Sequence, residues 1–156
     1  MVDMKDLEIH TDGACSGNPG LASIAFIIKE GGNTIKEFSQ SIGESTNNVA
    51  EYTAVVYALQ EALILKADTV KLFSDSELLC HQLNGEYKVK NENIKPLFEQ
   101  IKHLAKGFKK LSVRHIPREK NKEADGLAKK IIKQEQAKVV ALFPDGNGEE
   151  SPSSKG

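Results

Sequence analysis

The stretch EIHTDGACSGNPG, residues 8–20, decides the architecture. It opens with strand-like alternation and passes into a glycine-rich segment, and Asp12 stands at the seam. Working outward, alternating and apolar residues over 6–11, 21–29 and 34–42 predict three strands. The last two are joined through EGGN, whose glycines suit a hairpin turn, so the sheet begins antiparallel. Over TNNVAEYTAVVYALQEALILK, residues 46–66, the spacing becomes helical. Val49, Val55, Leu59, Ala62 and Leu63 lie along one side, with Thr46 or Asn47 as N-cap. TVKLFS (69–74) reads as a short strand, 76–84 and 93–106 as helices, LSVRHI (111–116) as a strand stopped by Pro117, and 121–135 as a last helix. Strands separated by helices imply parallel neighbours. The sum is an α/β fold, a mixed sheet with helices packed on its faces.

The totals bound the rest. A chain of 156 residues is one domain with room for a real core. It is 39% hydrophobic and 28% charged, and no apolar run approaches the ~20 residues of a membrane helix. The opening MVDMKDLEIH has no basic segment followed by an apolar one, so no secretory signal is read and the cytoplasm is the expected location. Two cysteines, Cys15 and Cys80, are too few and too far apart for a disulfide framework or a zinc site, and both are expected to be reduced. From about residue 137, AKVVALFPDGNGEESPSSKG loses periodicity. Residues 1–136 are therefore expected to form the domain and 137–156 a flexible tail, with a monomer as the default.

A net charge of −1 conceals an asymmetry: residues 1–85 sum to −7, residues 86–133 to +8 and the remainder to −2. An acidic half beside a basic half suits a cation-binding pocket next to a polyanion-binding surface. Four carboxylates sharpen this. Asp12 and Asp75 each follow a predicted strand, and ligand sites in α/β sheets gather at the carboxyl ends of strands. Glu51 shares the apolar stripe of its helix with Val55, Leu59 and Ala62, and Asp125 stands in the same relation to Ala128 and Ile132. An ionised carboxylate facing a core costs several kcal/mol unless paired or bound to a metal, and the nearby lysines fall mostly off those stripes. Oxygen-only ligands without His/Cys spacing point to Mg2+ or Mn2+. Such sites often hold two ions ~3.5–4 Å apart that act on a phosphodiester. Acidic pocket and basic surface together describe a nuclease.

Four segments in order, TDGACSGNPG, TNNVAEYTAVVYAL, FSDSELL and HIPREKNKEADGLA, resemble the type 1 ribonuclease H family over residues 6 to about 134. The resemblance implies a five-stranded mixed sheet of order 3-2-1-4-5 flanked by helices. It also implies a metal-dependent endonuclease that hydrolyses the RNA strand of RNA/DNA hybrids, leaving 5′-phosphate and 3′-hydroxyl ends. Asp12, Glu51, Asp75 and Asp125 would then be the quartet holding two ions, with Asp12 shared between them. Asn18, Asn47 and Asn48 would face the minor groove of the hybrid and engage RNA 2′-hydroxyls. Thr46 would contact a DNA-strand phosphate. For the auxiliary residue that such enzymes place before the last acid, Arg118, just past Pro117, is preferred over His115 within the strand.

Three positions depart from the pattern. Glu77 stands where many members have glutamine. Glu44 occupies a position that some fill with a basic residue. NGEYKVKNEN (84–93) is too short for a basic protrusion, leaving Lys88, Lys90 and Lys95 to supply part of that charge. Among the rivals, a carboxylate exonuclease would need free ends. A non-catalytic hybrid-binding module would be marked by lost acids, whereas all four are present. A phosphate-cradling loop in GACSGNPG lacks the Lys-Ser/Thr that a P-loop requires.

Overall fold

The computed structural model describes residues 3–142. β1 (Asp6–Cys15), β2 (Gly20–Glu30) and β3 (Asn33–Ser45) form an antiparallel meander. Gly31 and Gly32, with φ of +57° and +83°, make the two-residue turn between β2 and β3, a conformation open to glycine at little strain. β4 (Thr69–Ser74) and β5 (Lys110–His115) come after helices and pair in parallel, β4 on β1 and β5 on β4. The sheet order is β3-β2-β1-β4-β5, as the sequence led us to expect.

The helices are α1 (Asn47–Ile64), α2 (Glu77–Leu83), α3 (Lys95–Ala105) and α4 (Lys122–Leu142). On one face, α1 lays Tyr52, Val55, Leu59 and Ala62 against Leu7, Ile9, Phe26 and Leu72 of the sheet, and Ile101 of α3 joins the same core. Burying side chains of this size contributes about 1.5–3 kcal/mol each. On the opposite face α4 meets β1 and β2 through small residues. Ala128 and Ile132 pack on Ala14 and Ala25, and Ser23 Oγ donates to the Ala128 carbonyl at 2.6 Å. Among the described residues no helix is long and apolar enough to cross a membrane.

Two boundaries differ most from expectation. The first strand does not end before Asp12. It continues to Cys15, with Asp12 opposite Ala25 and Cys15 opposite Ala22, because β2 still offers small antiparallel partners there. Only the pairing with β4 stops, at His10 and Phe73, so the seam seen in the sequence belongs to one side of the strand. The last helix runs on to Leu142, through residues assigned to the tail, and leaves Val139, Val140 and Leu142 exposed. The rest of the expected tail, 143–156, lies outside the described residues.

Candidate active site

Strand register assembles the first pair of acids. β1 and β4 pair in parallel up to His10 and Phe73, and two further residues along each chain bring Asp12 and Asp75 side by side. Glu51 arrives from α1, which presses on β1 at Gly13. A Cβ there would lie 2.5 Å from the Ala50 carbonyl carbon and the Glu51 nitrogen, so only glycine admits the helix this closely. The start of α1 is fixed twice: Thr46 Oγ1 accepts from the Val49 N–H at 3.3 Å, and Asn18 Oδ1 accepts from the Asn47 N–H at 3.0 Å. Carboxylate oxygens of Asp12, Glu51 and Asp75 consequently lie within 4.8 Å of one another.

Asp125 stands in the first turn of α4 and adds its charge, and a side-chain contact, to Asp12. It does not stand alone, as its place on an apolar stripe had implied. Lys129, one turn on, bonds its Oδ2 at 3.0 Å.

Burial and like charge set the electrostatics. Asp12 and Glu51 are only 3% and 6% exposed, while Asp75 is half-buried. Burial first, then the charges of Asp75 and Asp125, push the Asp12 carboxyl up to about 8. Burial and then Asp12 and Asp75 raise Glu51 well above the carboxylate range, although a hydrogen bond from the Gly13 backbone works the other way. Asp12 Oδ2 and Glu51 Oε1 are buried without a hydrogen-bond partner. Buried acceptor oxygens that nothing in the protein satisfies, converging with a third carboxylate, fit a hard divalent cation.

Asn121, which the sequence reading passed over, ties the cluster together. It is 1% exposed, and its Nδ2 donates to the Thr11 carbonyl at 2.9 Å and to Asp75 Oδ2 at 3.2 Å. In sequence it is one asparagine before a helix, indistinguishable from a cap. The Lys129 partnership was legible in principle from its i, i+4 spacing to Asp125.

Asp12, Glu51 and Asp125 open into a cavity of about 350 Å³ lined also by Arg118, Lys129 and Lys133. Arg118 lies in the short 3-10 turn after β5, and its positive charge opposes the upward shifts at Asp12 and Glu51. His115 is the last residue of the edge strand β5 and is exposed, not packed with Leu111 and Val113. Asn18, Asn47 and Asn48 are exposed around the N-terminus of α1, whereas half-buried Thr46 directs its hydroxyl to the cap. Glu77 is exposed in the first turn of α2 with His81 Nε2 3.8 Å away, and Glu44 is exposed on β3. Lys88 and Lys90 are exposed between α2 and α3, and Lys95 pairs with Glu92 at 3.0 Å.

Residues 10–131 match the family model described as reverse transcriptase-like. The bifunctional protein Rv2228c of Mycobacterium tuberculosis is 33% identical over 159 residues, covering 95% of this chain but 42% of that protein, so the chain spans less than half of this relative. The crystal structure of RNase H1 from Halobacterium salinarum superposes with a TM-score of 0.80 at 33% identity, over 83% of this chain and 98% of that one. The structure of LC11-RNase H1 in complex with RNA/DNA hybrid gives 0.78 at 42% identity, over 83% and 99%. Sheet order, the converging acids and these matches agree: the chain belongs to the type 1 ribonuclease H family.

Proposed function

We propose that the chain is a metal-dependent endonuclease that hydrolyses the RNA strand of RNA/DNA hybrids, leaving 5′-phosphate and 3′-hydroxyl ends, and that it acts as a monomer. The observation that carries this is the cluster of Asp12, Glu51 and Asp75 with carboxylate oxygens within 4.8 Å, two of these residues also having a buried oxygen without a partner. With Asp125, these residues would hold two divalent ions, Mg2+ or Mn2+. Bound ions supply a water of lowered pKa and a Lewis acid for the phosphate oxygens.

The chain's own residues do the rest. Burial pushes Asp12 and Glu51 above the ordinary carboxylate range, and a bound cation would compensate by favouring their ionised forms. Asn121 donates to one oxygen of Asp75 and so fixes the direction of the other. Arg118 presents a guanidinium to the cavity where a phosphodiester would enter, in a position to attract it and to balance charge as the leaving oxygen departs. Asn18 has its carbonyl oxygen occupied by the Asn47 N–H, which leaves its NH2 group as a donor. Together with the amides of Asn47 and Asn48 it supplies hydrogen bonds for RNA 2′-hydroxyls, and selection follows sugar chemistry and groove shape, not base sequence. Thr46 offers its hydroxyl hydrogen to a DNA-strand phosphate while its oxygen keeps the cap. Glu77, an acceptor only, suits a 2′-hydroxyl donor and not a phosphate.

The test is an internally labelled RNA segment embedded in a covalently closed duplex with DNA, incubated with Mg2+. Internal cuts confined to RNA, with 5′-phosphate ends, are expected. An intact closed substrate alongside degradation of open DNA would assign the site to an exonuclease instead.

A further inference from the structure

The helix that carries the last acid does not end its part in the cavity there. Asp125, Lys129, Ile132, Lys133 and Gln136 recur at i, i+4, i+7, i+8 and i+11, one stripe of α4, and all five line the cavity shared with Asp12 and Glu51. The rotation of α4 that presents them is fixed by packing. Ile132 is buried against Ala14 and Ala25, and the Ser23 hydroxyl holds the Ala128 carbonyl one turn earlier. Lys129 is engaged by Asp125. Among the described residues, Lys133 pairs with no carboxylate within 4.0 Å. It stands two turns beyond Asp125, about 12 Å along the helix axis at 1.5 Å per residue.

One cavity thus holds a cation-binding end and, further along the same wall, a lysine with an amide beside it. A single phosphate at the acids would not span that distance. A strand bearing a phosphate at every nucleotide would occupy both ends.

We propose that Lys133 and Gln136 form a phosphate subsite, binding an internucleotide phosphate of the strand that is cut, displaced along α4 from the phosphate at the acids. This rests on the nuclease reading of the site. The lysine acts as a point charge and the Gln136 amide as a neutral donor to the same oxygens. Such a contact positions the strand without reading its sequence.

The experiment has two arms, and each compares Lys133→Gln, Lys133→Glu and Gln136→Ala with Lys130→Gln, an exposed lysine of α4 off the stripe. In the first arm, steady-state cleavage of an RNA/DNA hybrid with Mg2+ is measured. Lys133→Gln should raise KM about fivefold and leave kcat unchanged, Lys133→Glu should raise KM further, and Lys130→Gln should stay within twofold of the unmodified chain. In the second, hybrid binding is titrated against salt in the Asp12→Asn background, where cutting is absent. Loss of Lys133 should reduce the slope of log affinity against log salt by about 0.7–0.9, one phosphate contact, and Lys130→Gln should leave it unchanged.

Matching KM and salt slopes for Lys133→Gln and Lys130→Gln would overturn the subsite, as would a fall in kcat with KM unaltered. Far-UV circular dichroism excludes unfolding as the cause. If the unmodified chain binds the hybrid and cuts nothing, the nuclease reading fails, while the binding arm still decides the subsite.

Discussion

Replacing Asp12 with asparagine should stabilise the metal-free protein at alkaline pH and leave it unchanged near pH 4. Burial and the neighbouring acids push the Asp12 carboxyl up to about 8, against about 4 in an unfolded chain. Between these values the folded chain holds a proton that the unfolded chain has released. The raised pKa therefore favours folding below about pH 4, and that contribution is lost as pH climbs towards 8. Four units at 1.36 kcal/mol each give a ceiling of about 5 kcal/mol, an upper bound because neighbouring carboxylates share the proton. From the geometry, two carboxylates with oxygens within 4.8 Å of each other in an effective dielectric of about 20 repel by about 3.5 kcal/mol or more. Asparagine keeps the size of the side chain, removes the charge and gives the orphaned Glu51 oxygen a donor.

The expected gain at pH 9 is thus about 3–5 kcal/mol, at least about 6 °C in Tm for a chain of this length. Urea unfolding in EDTA at pH 4, 7 and 9 measures it for both proteins. A difference that does not vary with pH, or an asparagine variant less stable at pH 9, would refute the electrostatic argument.

Three further outcomes follow from the same geometry. Asn121→Ala removes the donor to both Thr11 and Asp75 and should destabilise the fold by about 2–3 kcal/mol, with kcat falling more than KM rises; unfolding and steady-state kinetics read both. Gly13→Ala places a Cβ 2.5 Å from the α1 backbone. It should destabilise by about 2 kcal/mol or more and weaken Mg2+ binding as Glu51 is displaced, which calorimetric titration detects. Since Asp12, pushed up to about 8, must lose its proton to receive a cation, apparent Mg2+ affinity should rise by up to about tenfold per pH unit from 6 to 8. Titrations in two buffers of different ionisation heat would count the protons released.

The sequence carried the topology because each element announced itself by period. A nearly continuous apolar run marked β2, buried on both faces, the Gly31-Gly32 pair marked the hairpin, and Glu51 on a stripe with Val55, Leu59 and Ala62 marked a carboxylate turned inward. Where reasoning fell short, the missing information lay in partners distant in the chain. Whether β1 continues past Asp12 is decided by Ala22 and Ala25 across the strand, and local glycine content pointed the wrong way. Asn121 looked like an ordinary residue before a helix, because its two acceptors lie 110 and 46 positions away. Lys129 was discounted by treating the stripe at Asp125 as apolar, although i+4 falls on the same face as i+3 and i+7. The end of α4 was drawn early for a related reason: residues 137–142 are helical without burying a face, so no apolar period marks them.

The most direct measurement is cleavage of an RNA/DNA hybrid, end-labelled on RNA, by the unmodified chain and by Asp12→Asn, with Mg2+, with Mn2+ and with EDTA, and with duplex DNA as control. Internal RNA cuts that require the ion, vanish in Asp12→Asn and are absent from duplex DNA are the predicted result. A hybrid that is bound but stays intact with either ion, or cuts that persist without Asp12, would contradict the claim that these four acids form the hydrolytic site.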